Sequence, residues 1–148
     1  MLRYVLTTLL TAVLFLFPMA AMAKDPPPSP KGKLVFVAMT GPEDAGTLSS
    51  SFRHALAAKK SGYLEDVVWL SWGRTVVALD SETSVLPKEV KEHAKAAQKG
   101  GVRLVACGQA LKKWNVDRAK LEPKVEVVAN GVDELARLVS LGYEVIRY

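Results

Sequence analysis

The chain has 148 residues, 49% of them hydrophobic and 24% charged, with a formal net charge of +5. Once its N-terminal segments are set aside, that length amounts to one domain. Basic and acidic residues alternate, as in KEVKE at 88–92, which describes a solvated face; no dense Arg/Lys stripe interleaved with aromatics calls for nucleic acid.

Residues 1–23 read as a secretory signal peptide. Arg3 supplies the positive start, residues 5–17 an apolar stretch broken only by threonines, and Ala21-Met22-Ala23 a small-x-small cleavage site. In a Gram-negative cell the destination is the periplasm. The alternative is an uncleaved N-terminal membrane anchor, because the apolar stretch approaches spanning length. No cysteine lies near the cleavage site, which excludes a lipid-anchored form. Residues 24–32, with Pro26, Pro27, Pro28 and Pro30, read as an extended polyproline linker. The domain runs over 33–148.

Lys33 to Met39 (KLVFVAM) is a continuous apolar run, the pattern of a strand buried on both faces. A turn at Thr40-Gly41-Pro42 leads into a helix whose stripe is Leu48, Phe52, Ala55 and Leu56. Lys59 and Lys60 suit its negative end, near Ser61-Gly62. Asp66 to Ser71 is a second strand, Trp72-Gly73-Arg74 a turn, and Thr75 to Leu79 an apolar segment of undecided type. Pro87 opens a helix with Val90, Ala94 and Ala97 on one face, and Gly100-Gly101 stops it. Val102 to Ala106 is the third strand, with Cys107 at its end. Gly108 to Trp114 reads as a short helix and Val125 to Val128 as a fourth strand. Gly131 to Leu141 is a helix with Leu135, Leu138 and Val139 buried, and Tyr143 to Ile146 a fifth strand. There is no internal repeat. The alternation predicts a three-layer α/β/α sandwich around a mostly parallel five-stranded sheet.

In such folds chemistry gathers outside the carboxyl ends of the strands. Three loops are expected to meet there: Thr40-Gly41, Ser71-Trp72-Gly73 and Cys107-Gly108. Cys107 is the one cysteine and the strong nucleophile candidate, since a thiol at a helix N-terminus meets N–H groups that favour the thiolate. Gly108 permits close approach of backbone or substrate. Lys112 and Lys113 add positive potential, and Trp72 and Trp114 fall near the same edge. The alternative for Cys107 is inert packing, because cysteine also serves as a small core hydrophobe.

Other chemistry lacks its residues. His54 lies on the flank of the first helix and His93 in a charged stretch, with no third group to orient either as a catalytic base. One cysteine and two remote histidines lack metal-ligand spacing, and Thr40-Gly41-Pro42 lacks the glycines and lysine of a phosphate loop, so neither metal nor cofactor is expected. Dithiol exchange needs a second thiol. A lone activated cysteine can still carry sulfur as a persulfide, or form a disulfide with a partner.

Three patterns resemble the DsrE/DsrF-like family of sulfur-relay proteins: LVFVAM at 34–39, VVWLSWGRTV at 67–76, and GVRLVACGQALK at 101–112 followed by VEVV at 125–128. The resemblance spans residues 33–148. It implies a five-stranded α/β sandwich, homo- or hetero-oligomers, and persulfide transfer between a sulfur donor and an acceptor protein. Cys107 falls on the sulfur-carrying cysteine, with Thr40, Gly41, Trp72, Gly73 and Gly108 around it. The expectation is thus a sulfur carrier or sulfurtransferase; the alternative is a non-catalytic oligomeric binding or assembly module with a structural cysteine.

Overall fold

The computed structural model describes residues 31–148. The expected signal peptide, and all of the linker before Lys31, lie outside the described residues. Five strands form a single sheet in the order β4-β3-β2-β1-β5. They are β1 (Gly32–Ala38), β2 (Leu64–Ser71), β3 (Arg103–Cys107), β4 (Glu126–Val128) and β5 (Tyr143–Arg147). Every neighbouring pair is parallel. The helices are α1 (Ala45–Lys60), α2 (Lys88–Lys99), α3 (Gly108–Lys113) and α4 (Gly131–Ser140).

The continuous apolar runs reflect burial of both sheet faces. Because side chains alternate along a strand, Phe36, Ala38, Val67 and Trp69 point to one face and Val35, Val37, Val68 and Leu70 to the other. The first set packs with Leu48, Phe52 and Ala55 of α1 and with Val90, Ala94 and Ala97 of α2. Trp69 is fully buried there, its ring stacked 4.2 Å from that of Phe52. Its indole N–H donates to Ser51 Oγ at 2.9 Å, so the polar edge of the core tryptophan is satisfied. The second face is covered by α4, through Leu138 and in part Leu135.

Val139 corrects the expected burial of α4. It is 50% exposed, and Val132 on the same helix is 58% exposed. Leu138 and Val139 are consecutive and point about 100° apart on a helix. With α4 the only helix over this face among the described residues, only one flank of it finds the sheet. The undecided segment after β2 is a 3-10 helix, Gly73–Leu79, which buries Thr75, Val76, Ala78 and Leu79. Gly73 opens it at φ 61°, a left-handed conformation that glycine adopts without strain.

Four strands are also joined by a polar clasp. Arg103 on β3 donates to Asp66 on β2 at 3.0 Å and to both carboxylate oxygens of Glu126 on β4, at 3.0 and 2.8 Å. Tyr143 on β5 donates to the same Asp66 oxygen at 2.6 Å. Burial opposes ionisation of Asp66, but the hydrogen bonds from Tyr143 and Arg103 and the guanidinium charge outweigh it, so its carboxyl titrates below the ordinary 3.8. Burial and the bond to Asp66 push the Tyr143 hydroxyl up to about 12.

Candidate active site around Cys107

Cys107 is the last residue of β3 and the N-cap of α3. Its register partner on β4 is Val128. Parallel pairing therefore brings the chain that leaves β4, Ala129-Asn130-Gly131, alongside Cys107. Asn130 caps α4, its Oδ1 accepting the Val132 N–H at 2.9 Å. The next free N–H of that helix end, on Gly131, donates to Cys107 Sγ at 3.2 Å. A hydrogen bond of this kind strengthens when the acceptor is anionic. The sulfur thus faces the positive end of α4 as well as the start of its own helix.

Cys107 is 5% exposed, and that small opening faces a cavity of about 280 Å³. Trp72, Ala110 and Val132 form its apolar wall, and Gln109, Lys113 and Asn130 supply its polar groups. No carboxylate of the described residues lines it. Beside the mouth, Trp114 is flanked by two cations: the Arg74 guanidinium lies 5.5 Å and Lys113 Nζ 5.7 Å from its ring centroid. Arg74 is paired with Glu43 at 3.6 Å, whereas Lys113 has no carboxylate partner among the described residues.

Of the residues singled out from sequence, Cys107, Trp72, Gly73 and Lys113 meet at this cavity. Thr40 and Gly41 stand outside its wall. The Thr40 carbonyl accepts the Thr75 hydroxyl at 2.7 Å, and the Gly41 N–H donates to Glu43 Oε1 at 2.8 Å, so the loop spends its polar groups on structure. Gly108 lies behind the cavity wall. A Cβ there would sit 2.8 Å from the Val128 carbonyl oxygen and 2.9 Å from Arg118 Nη2. The close approach it permits is therefore to the protein's own β4.

Both histidines are engaged elsewhere. His93 Nδ1 lies 2.7 Å from Ser49 Oγ, between α1 and α2, and His54 Nδ1 meets the Tyr148 hydroxyl on the surface. Among the described residues no group of His, Cys, Asp and Glu has the makings of a metal site, and no helix is long and apolar enough to cross a membrane.

Gln109, Asn130, Gly131 and Val132 are site residues that the sequence reading missed. The signal for the last three was present. An asparagine-glycine N-cap follows the strand that must lie next to β3, and in a parallel sheet both strand ends share an edge.

The DsrE/DsrF-like family model matches residues 32–148. The chain belongs to this family. Membership points in general terms to a sulfur-relay-like role. No curated protein matches the chain. Among solved structures, the ychN protein from E. coli is 19% identical, with a TM-score of 0.67 over 79% of this chain and 99% of that one. A protein of unknown function from Methanobacterium thermoautotrophicum is 22% identical, with a TM-score of 0.63 over 80% and 100%. A conserved protein of unknown function from Bacteroides thetaiotaomicron is 19% identical, with a TM-score of 0.61 over 78% and 94%. At these identities the likeness establishes the shared fold.

Proposed function

We propose that this DsrE/DsrF-like protein is a sulfur carrier that accepts sulfur on Cys107 and hands it to a protein acceptor. The observation that carries the reading is the placement of Cys107. In a chain of this family, its sulfur takes the Gly131 N–H and borders a cavity that no carboxylate of the described residues lines. Loading needs no cofactor. The Cys107 thiolate attacks the outer sulfur of a donor persulfide, the donor's S–S bond breaks, and the donor thiolate leaves with the electron pair. Delivery is the same exchange with Cys107 as donor, the acceptor thiolate taking the outer sulfur.

The reading includes partners and a compartment. A second groove, of about 330 Å³, is lined by Val37, Met39, Leu135, Val145 and Arg147 and shares Trp72 with the Cys107 cavity. We take this apolar surface as the contact for a second copy of the chain, set beside the sulfur. Export to the periplasm rests on the sequence of residues 1–23; cell fractionation and N-terminal sequencing of the mature protein test it.

One observation favours a second reading. Cys107 packs in the main core with Ala106, Ala110 and Leu111, as a purely structural cysteine does. Intact mass after exposure to inorganic polysulfide decides between the two. The carrier reading expects gain of sulfur, reversed by reductant and absent in Cys107→Ser. A thiol that stays unmodified in the folded protein, and reacts only after denaturation, leaves the assembly module.

A further inference from the structure

Resting on the reading of Cys107 as a carrier, the cavity beside it has a chemical bias of its own. Its polar groups are Lys113, Gln109 and Asn130, and no carboxylate of the described residues lines it. Asn130 has its Oδ1 committed to the Val132 N–H, so its remaining polar group is the NH₂, a donor. Lys113 is cationic and unpaired among the described residues, and lies against Trp114, which limits the directions its stem can take. The lining by Trp72, Ala110 and Val132 is apolar and suits polarisable sulfur. Hydrogen-bond donors, a cation, apolar surface and a thiol around one cavity suit a small anion with sulfur at one end. A volume of about 280 Å³ admits such an ion, whereas a folded donor protein reaches in with no more than a side chain.

We propose that the cavity binds a sulfane-sulfur oxyanion of the thiosulfate class, with Lys113 as its principal anion-binding residue, so that Cys107 is loaded directly from a small molecule. The oxygens of the sulfonate end face Lys113 and the amides of Asn130 and Gln109, and the sulfane sulfur faces Cys107. The thiolate attacks the sulfane sulfur, forming the new S–S bond of the Cys107 persulfide. The bond to the sulfonate sulfur breaks, and its electron pair leaves on sulfite. No oxidant or reductant is consumed, and total charge is unchanged.

The test uses thiosulfate as the probe, reading sulfite release and intact mass together. Inorganic polysulfide loads the same thiol by another donor, and alkylation by uncharged iodoacetamide reports the thiol itself. The expected result is one sulfite released per sulfur gained. Lys113→Gln is expected to lower loading by subsaturating thiosulfate about ten-fold, the scale of one lost charge-assisted contact, with alkylation within about two-fold of wild type. Lys113 is exposed, so the variant folds. Loading by polysulfide but not by thiosulfate overturns the small-anion donor and leaves the carrier standing. Thiosulfate loading that is insensitive to Lys113→Gln, or that falls only in step with alkylation, overturns the role of Lys113. Failure of both donors overturns the carrier reading and this one with it.

Discussion

Gly131 holds the sulfur of Cys107 in two ways, by its N–H and by the absence of a side chain. A Cβ at this position would lie 3.1 Å from Cys107 Cβ, 3.1 Å from Trp72 Cε3 and 3.3 Å from Trp72 Cβ. Those contacts are tight without being impossible, so the indole and the strand end must each yield by a few tenths of an ångström. Gly131→Ala is therefore expected to fold, to lose about 1–3 kcal/mol by overpacking, and to displace the N–H from Sγ. Thermal unfolding measures the first effect and the rate of iodoacetamide alkylation the second. A variant with wild-type stability and wild-type thiol reactivity would mean that the glycine merely terminates a loop. Gly108 is under a harder constraint, because its closest neighbour is backbone, the Val128 carbonyl, which cannot rotate away. Its small size serves the β3–β4 pairing that brings α4 to the sulfur.

Between the strands, the clasp of Asp66, Arg103, Glu126 and Tyr143 gives the sheet a defined response to acid. Asp66 titrates lower in the folded chain than its ordinary 3.8, so near that pH the folded state binds fewer protons than the unfolded one. Its contribution is complete above the ordinary value and is lost as pH falls through the lower folded value. Denaturant midpoints measured from pH 6 down to pH 2 should fall, and Asp66→Asn should flatten part of that decline. Glu134, also held low by its hydrogen bond from Arg137, keeps part of the remainder. An identical acid limb in the variant would show that Asp66 is solvated rather than clasped. At this scale the sequence was a good guide to the elements and an incomplete one to their neighbours. Five strands and the long helices were legible because apolar runs and 3.6-residue stripes report burial directly. The clasp was not, since Asp66, Arg103, Glu126 and Tyr143 are far apart in sequence and meet only through strand order. The same holds for the site: Cys107, Trp72 and Gly73 follow from the rule of strand ends, whereas Asn130 and Gly131 require knowing that β4 lies beside β3. Thr40 and Gly41 share that edge, yet β1 is separated from β3 by β2, and their loop turns toward Thr75 and Glu43.

At the scale of the whole sheet, the described residues cover its two faces unequally. Among the described residues, α1 and α2 close one sheet face, while α4 alone spans the other and leaves Val132 and Val139 exposed on its flank. Val132 and Val139 are seven residues apart and Leu135 lies between them, so the three form one stripe on the helix. The stripe continues to Leu135, Val145 and Met39 around the second groove. Val145 and Met39 are 41% and 43% exposed, and they belong to the sheet edge made by β5 and to the end of β1. An apolar strip of this kind is costly to leave in water and suits burial against a second copy. If a second copy covers it, Val139→Glu places a charge in the contact at a half-exposed position outside both core clusters. The variant is expected to sediment as a smaller species than the wild type, with unfolding of the isolated subunit altered by no more than about 0.5 kcal/mol. Because Trp72 is shared by the groove and the Cys107 cavity, dissociation should also change the rate of Cys107 alkylation. Equal sedimentation of the two proteins would instead leave this strip free for the acceptor protein, and sulfur delivery, not assembly, would then be the property that Val139→Glu impairs.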